Sequence, residues 1–209
     1  MTATLTAASD KTIADLWLEV HAADHGGTMP TTLQTLIHRL EGRLTGRNAA
    51  VAFGVIVLSN IAMAGYLIPN IQARRPLAVE DGFLVMIDLK PLRSVEEMYR
   101  IFDLYTPDIL GLVRLLYALD FVFPLAFAFV VAFLLGKLLR HLGVKEGAWR
   151  TTLLLPFAAV AFDYTENVLA LVLTSQYSDG QVYPTLARVA GVATAVKMLC
   201  LILSGLTLV

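Results

Sequence analysis

The chain has 209 residues, 57% of them hydrophobic and 16% charged, with a mean hydropathy of +0.68. A soluble domain carries roughly a quarter charged residues, so the composition excludes an ordinary soluble globular domain and points to the bilayer. A net charge of −1 argues against a nucleic-acid partner, and the single cysteine, Cys200, excludes an internal disulfide or a CxxC redox pair.

The first 48 residues do not read as membrane-spanning, but they are patterned. Ile13, Leu16, Trp17 and Val20 fall at helical spacing after the capping candidates Ser9 and Asp10. Leu33, Leu36, Ile37, Leu40 and Leu44 repeat that spacing after Thr31 and Thr32, with Gly26, Gly27 and Pro30 between the two runs. The second helix carries His38, Arg39, Arg43 and Arg47. It would lie either on an anionic lipid surface or against the cytoplasmic ends of a bundle or a partner. The first apolar run begins near residue 49, too far along for a cleavable signal peptide.

Between Arg47 and Arg74 no ionisable side chain occurs. About 20 residues at ~1.5 Å each cross the hydrocarbon core, so the first span is expected over about 49–69. A loop of about 70–107 follows, with five basic and six acidic residues. Phe83, Val85, Ile87 and Leu89 alternate with Leu84, Met86 and Asp88, which suits an extended segment. Ser94 and Glu97 form a capping-box pattern opening a short helix through about Leu104. The loop is too long for a simple connection and reads as a cap over one mouth of the bundle. Pro107 after Thr106 opens the second span, about 108–139. The third is expected over about 151–174 and the fourth over about 185–209. Pro124 and Pro156 lie inside spans as expected kinks.

The fold class is therefore all-α. It is an integral membrane four-helix bundle (49–209), with an amphipathic cytoplasmic segment (1–48) and an external loop between the first two spans. Orientation follows from the short connections. Lys137, Arg140, Lys145 and Arg150 stand against one acid, Glu146, in the second connection, whereas the third holds Asp179 and no basic residue. By the positive-inside rule the second connection and both termini are cytoplasmic. Trp149 at the inner edge and Tyr66, Tyr177 and Tyr183 at the outer edge fit interfacial belts.

Three spans carry ionisable groups well inside: Asp120, then Asp163 and Glu166, then Lys197. Each costs roughly 2.5–3.5 kcal/mol at a helix centre, so such groups face the bundle interior. Asp163, Glu166 and Asn167 share one helix face, as do Tyr117 and Asp120. Ala190, Ala193, Thr194 and Ser204 leave room beside Lys197, and the two hydroxyls are candidates to bond its ammonium. Counting from Leu112, Thr174 and Thr185, Asp120 and Glu166 lie eight residues in, about 12 Å at the helical rise. Asp163 and Lys197 lie about 17 Å in, and Asn60 of the first span lies at a similar level. The spans thus bring polar groups to one layer. Asp120 and Glu166 are expected toward the outer entrance, with Asp163 deeper.

Three carboxylates against one ammonium leave a charge of −2 that a low-dielectric interior will not hold unneutralised. Protons on the carboxyls, a bound cation, or an inward bend of Arg114 or Arg188 would each resolve it. The expected ligand, ion or proton site is Asp120, Asp163, Glu166, Asn167, Lys197 and Tyr117. The bland reading is an ion-pair network that fixes helix register.

Catalysis ranks below both. No histidine lies in a span, His21 and His25 have no further ligands nearby in sequence, and neither GxSxG nor a Cys/His dyad occurs. No catalytic residue, metal site or cofactor is assigned, although the oxygens of Asp163 through Asn167 suit a hard cation. The alternatives are an enzyme acting on a lipid and a non-catalytic subunit of a membrane complex. A four-helix conduit is narrow, so transport also implies a homo-oligomer, whereas the subunit reading implies a membrane-protein partner held through the amphipathic N-terminus.

The block from Tyr117 through Asp120 to Pro124, with Asp163 through Asn167 and Lys197, resembles a group of small bacterial inner-membrane proteins of four helices. The likeness covers about residues 94–205. That group has no assigned activity, so the resemblance implies an inner (cytoplasmic) membrane location and a polar core, and nothing about chemistry.

Overall fold

The computed structural model describes residues 30–74, 92, 94–103, 105–144 and 148–208. The expected helix around Ile13 to Val20, the two histidines after it, the extended segment over 83–89, Lys145 and Glu146 lie outside them. The described chain is helical, without strands, and four of its helices are long and apolar enough to cross a membrane: Gly46–Arg74, Ile109–His141, Trp149–Tyr177 and Pro184–Leu206. It is a multi-pass membrane protein.

Helix α1 (Thr31–Arg43) precedes the first span. Part of its apolar stripe faces inward: Ile37 is buried with Leu135, Leu139, Val144 and Leu153, against the end of the bundle that carries the basic connection, whereas Leu36 is exposed. Glu41 pairs with Arg150 across the same junction. Bundle packing thus covers Ile37 and Leu44 of the amphipathic pattern. Thr45 caps α2 (Gly46–Ala62) by accepting from Asn48 N–H at 3.2 Å. A π-turn over Met63–Leu67 then leads into α3 (Ile68–Arg74). Pro69 has no N–H for the carbonyl of Gly65, which lies inside the widened turn. This first span is peripheral. Val51, Phe53, Leu58, Ile61 and Tyr66 are exposed and form a lipid-facing surface.

The second span is broken. Helix α5 (Pro107–Asp120) stops and α6 (Phe123–His141) restarts three residues later. Pro124 explains the position, because its ring clashes with the carbonyl four residues back, which belongs to Asp120. Gly143, at φ 74°, ends α6. Its N–H donates to Arg140 O (3.2 Å) and that of Val144 to Leu139 O (2.9 Å), a glycine-terminated Schellman turn. A 3₁₀ segment, Ala148–Leu154, enters α7 (Leu155–Ser178) ahead of Pro156, and α8 (Pro184–Leu206) closes the fold.

Helix α7 is central, packing against α8 on one side and α5 and α6 on the other. The α8 face that meets it is built from Ala187, Ala190, Gly191, Ala193 and Thr194, small residues that let the two backbones approach. At the end away from the basic connection, α4 (Val95–Phe102) lies over the bundle. Ser94 caps it, accepting from Glu97 N–H at 3.1 Å, as the sequence pattern requires. Met98, Ile101 and Phe102 join Ile109, Val113, Leu116, Tyr117, Ala170, Leu173, Ala187 and Ala190 in one apolar core that fills this mouth.

Candidate functional site

The face of α7 that meets its neighbours runs through Ala159, Asp163, Glu166, Asn167, Ala170 and Thr174, all buried and all at helical spacing. Its polar middle meets Asp120 at the end of α5 and Thr194 and Lys197 on α8. The Lys197 Nζ stands 2.8 Å from Glu166 Oε2 and 3.1 Å from Asp163 Oδ1. The Asn167 amide donates to Asp120 Oδ2 at 2.9 Å and to Asp163 Oδ2 at 3.1 Å. The Thr194 hydroxyl donates to Glu166 Oε1. The result is one buried network from Asp120 through Asn167, Asp163, Lys197 and Glu166 to Thr194. Every member is at most 5% exposed. The Oδ1 of Asn167 is buried there with no hydrogen-bond partner.

The structure brings together five of the six expected site residues. Tyr117, the sixth, is fully buried within the apolar core on the cap side of the network. Several neighbours differ from expectation. Asn60 is exposed and donates to the carbonyl of Ile56 in its own helix at 3.0 Å, so three spans build the polar layer, not four. The rotation of its helix turns the Asn60 amide outward. Arg114 is exposed and reaches Ser175 Oγ at 3.3 Å, while exposed Arg188 acts on Glu96 at the cap. Neither arginine bends into the network. Thr194 serves Glu166 and not the ammonium, and Ser204 donates to its own helix at Cys200 O, 2.7 Å. Glu166 does not face an outer entrance, because it is among the most enclosed of the large side chains.

A cleft of about 280 Å³ opens on the other side of the network, toward the end of the bundle that carries the basic connection. Asp120, Asp163 and Lys197 form its polar end. Phe123, Phe127, Ala159, Val160, Met198 and Leu201 wall it. It exists because α6 and α8 both pack on α7 but scarcely on each other, whereas the apolar core joins the second and fourth spans near the cap. Tyr164 was missed. It donates to the Phe121 carbonyl at 2.5 Å, satisfying a backbone acceptor where the second span breaks.

Among the described residues, no three His, Cys, Asp or Glu side chains converge as a metal-binding group. The acids are instead spaced by a lysine and an amide. The fold and site together define a multi-pass membrane protein of four spans assembled around buried Asp/Glu–Lys ion pairs. Comparison with protein-family models, curated proteins and solved structures finds no match for this chain.

Proposed function

We propose that this protein binds a proton, a cation or a small molecule at the Asp120–Asp163–Glu166–Lys197 network and passes it across the bilayer. The observation that carries the reading is a surplus of charge beside an opening. The ionisable groups buried in the network are three carboxyls and one ammonium, and two of the carboxyls line the cleft. Arg114 and Arg188 reach Ser175 and the cap instead. A proton or a bound cation shared with the lysine would lower the charge that the three acids bring inside.

A register-fixing ion pair would need one acid for one lysine and no cleft. The break in the second span supports the same reading, since irregular backbone at membrane depth is tolerated where it borders protein or a cavity. In this proposal the basic connection and both termini are cytoplasmic, in a bacterial inner membrane. The network would then exchange with the cytoplasmic half of the bilayer, while the capped core closes the external side. The narrowness of four spans, the first of them peripheral, makes a homo-oligomer part of the proposal.

The lateral position of the cleft favours a second reading, chemistry on a lipid with an acid as general base. Product formation from a labelled lipid extract would distinguish it. The leading reading is tested with protein in liposomes holding a pH-sensitive dye, under an imposed pH or cation gradient. Flux above protein-free vesicles that disappears in Glu166→Gln is expected. Undiminished flux in that variant, or none in the wild type, would count against it.

A further inference from the structure

We infer that the cleft between α6 and α8 takes a compact hydrophobic amine, protonated at its nitrogen, which enters sideways from the lipid phase. This rests on the reading above that the acids form a binding site, and it names the ligand class. Three observations lead there. The approach from the cap is filled by the apolar core around Leu116, Tyr117, Leu173 and Ala190, so the network is reached through the cleft. The cleft walls are apolar, and a hydrated inorganic ion would have to shed its water against them. An amphipathic cation already resides at that depth and brings its own apolar surface.

The polar end selects charge. Lys197 occupies the Asp163–Glu166 side of the network, so the ammonium of a ligand is placed on the Asp120 side. There Asp120 and Asp163 each accept from the Asn167 amide and both line the cleft. A protonated amine brings charge-assisted N–H donors to these carboxylates, and an uncharged alcohol does not. Phe123 and Phe127 stack along the wall with ring centroids 6.1 Å apart, a surface suited to a cation bearing an aromatic or alkyl tail. Size sets the other limit. At about 280 Å³ the cleft falls just under the ~300–1,000 Å³ of drug-sized ligand sites, which suits a compact amine.

The test uses 4-phenylbutylamine and its neutral counterpart 4-phenylbutanol, titrated calorimetrically into full-length protein in phosphatidylcholine nanodiscs, with empty discs subtracted. The amine is expected to bind, with the alcohol and the Asp120→Asn variant each weaker by about tenfold or more. Ala159→Leu, which fills the wall without touching a charge, is expected to abolish binding. If Asp120→Asn does not purify as a single species, Phe127→Leu at the exposed rim replaces it and is expected to weaken the amine. Equal affinity for amine and alcohol, no amine binding, or an unchanged affinity in Ala159→Leu would overturn the inference. A wild-type melting temperature that still responds to pH or inorganic cations in that case would leave the acid site standing and remove only the organic amine. A flat response as well would remove both.

Discussion

Pro124 lies one helical turn after Asp120, and the second span breaks between them. The residue that offers no N–H and the residue whose carbonyl loses one are the same pair that places a carboxylate at the cleft. Replacing Pro124 by Ala should let α5 and α6 join. An interior proline costs about 3 kcal/mol, so the variant should melt no lower than the wild type. It should nevertheless bind or transport about tenfold less well, because Asp120 is displaced from Asn167. A binding titration alongside a melting curve checks this. Unchanged function in the variant would mean that the break does not position Asp120.

Lys197 holds two acids at once. Removing one partner of a buried pair typically costs 3–5 kcal/mol, because the remaining charge is left without compensation. Lys197→Met should destabilise by about that much, and adding Glu166→Gln should recover part of the loss. Denaturant unfolding of the four proteins of this cycle in mixed micelles measures it. Strict additivity would show that the ion pair is energetically idle.

Acid should loosen the cap. Its backbone amide, the Ser94 hydroxyl and, to a smaller extent, the Arg188 charge hold the Glu96 carboxyl below the usual carboxylate range. A group whose folded-state pKa is depressed contributes stability above its unfolded pKa, and that contribution disappears as pH falls through the folded value. Protection of the α4 amides from hydrogen exchange should therefore decrease as pH drops below the ordinary glutamate range. In Glu96→Gln the decrease should be smaller. The Glu96 side chain is fully exposed, so the effect will be modest and sensitive to salt.

Helix α1 should behave as part of the bundle. Ile37 is buried against Leu135 and Leu153, and truncating a buried isoleucine to alanine costs about 2–5 kcal/mol where the site cannot collapse. At this boundary position, Ile37→Ala should fall at the low end, about 2 kcal/mol, and should expose α1 to protease. Limited proteolysis read by mass spectrometry decides the matter. Unaltered cleavage would mean that α1 is held by something other than this contact.

Much of this architecture was legible in the sequence because the bilayer imposes its constraint on every span alike. Twenty-residue apolar runs gave the four crossings, and the cost of a buried charge placed Asp120, Asp163, Glu166 and Lys197 inward. Spacing of three and four residues put Asp163, Glu166 and Asn167 on one face. Rotation about a helix axis was harder to read. Asn60 faces away from the network, because nothing in a span without ionisable groups fixes which side looks inward.

Partner choice was also hidden. A hydroxyl one turn from Lys197 can serve either the ammonium or a carboxylate, and the approach of α7 to α8 gave Thr194 to Glu166. The amphipathic pattern of α1 recorded that one face must be covered, without saying by what. The cleft depends on two helices failing to meet, which no local pattern encodes.

The central claim is that the buried acids exchange a proton or cation and are not a sealed structural pair. The most direct measurement is the melting temperature of the purified protein in detergent across pH and a panel of cations, for the wild type and Glu166→Gln. The account predicts a shift with pH or with at least one cation in the wild type that vanishes in the variant. A flat response in both proteins would contradict it.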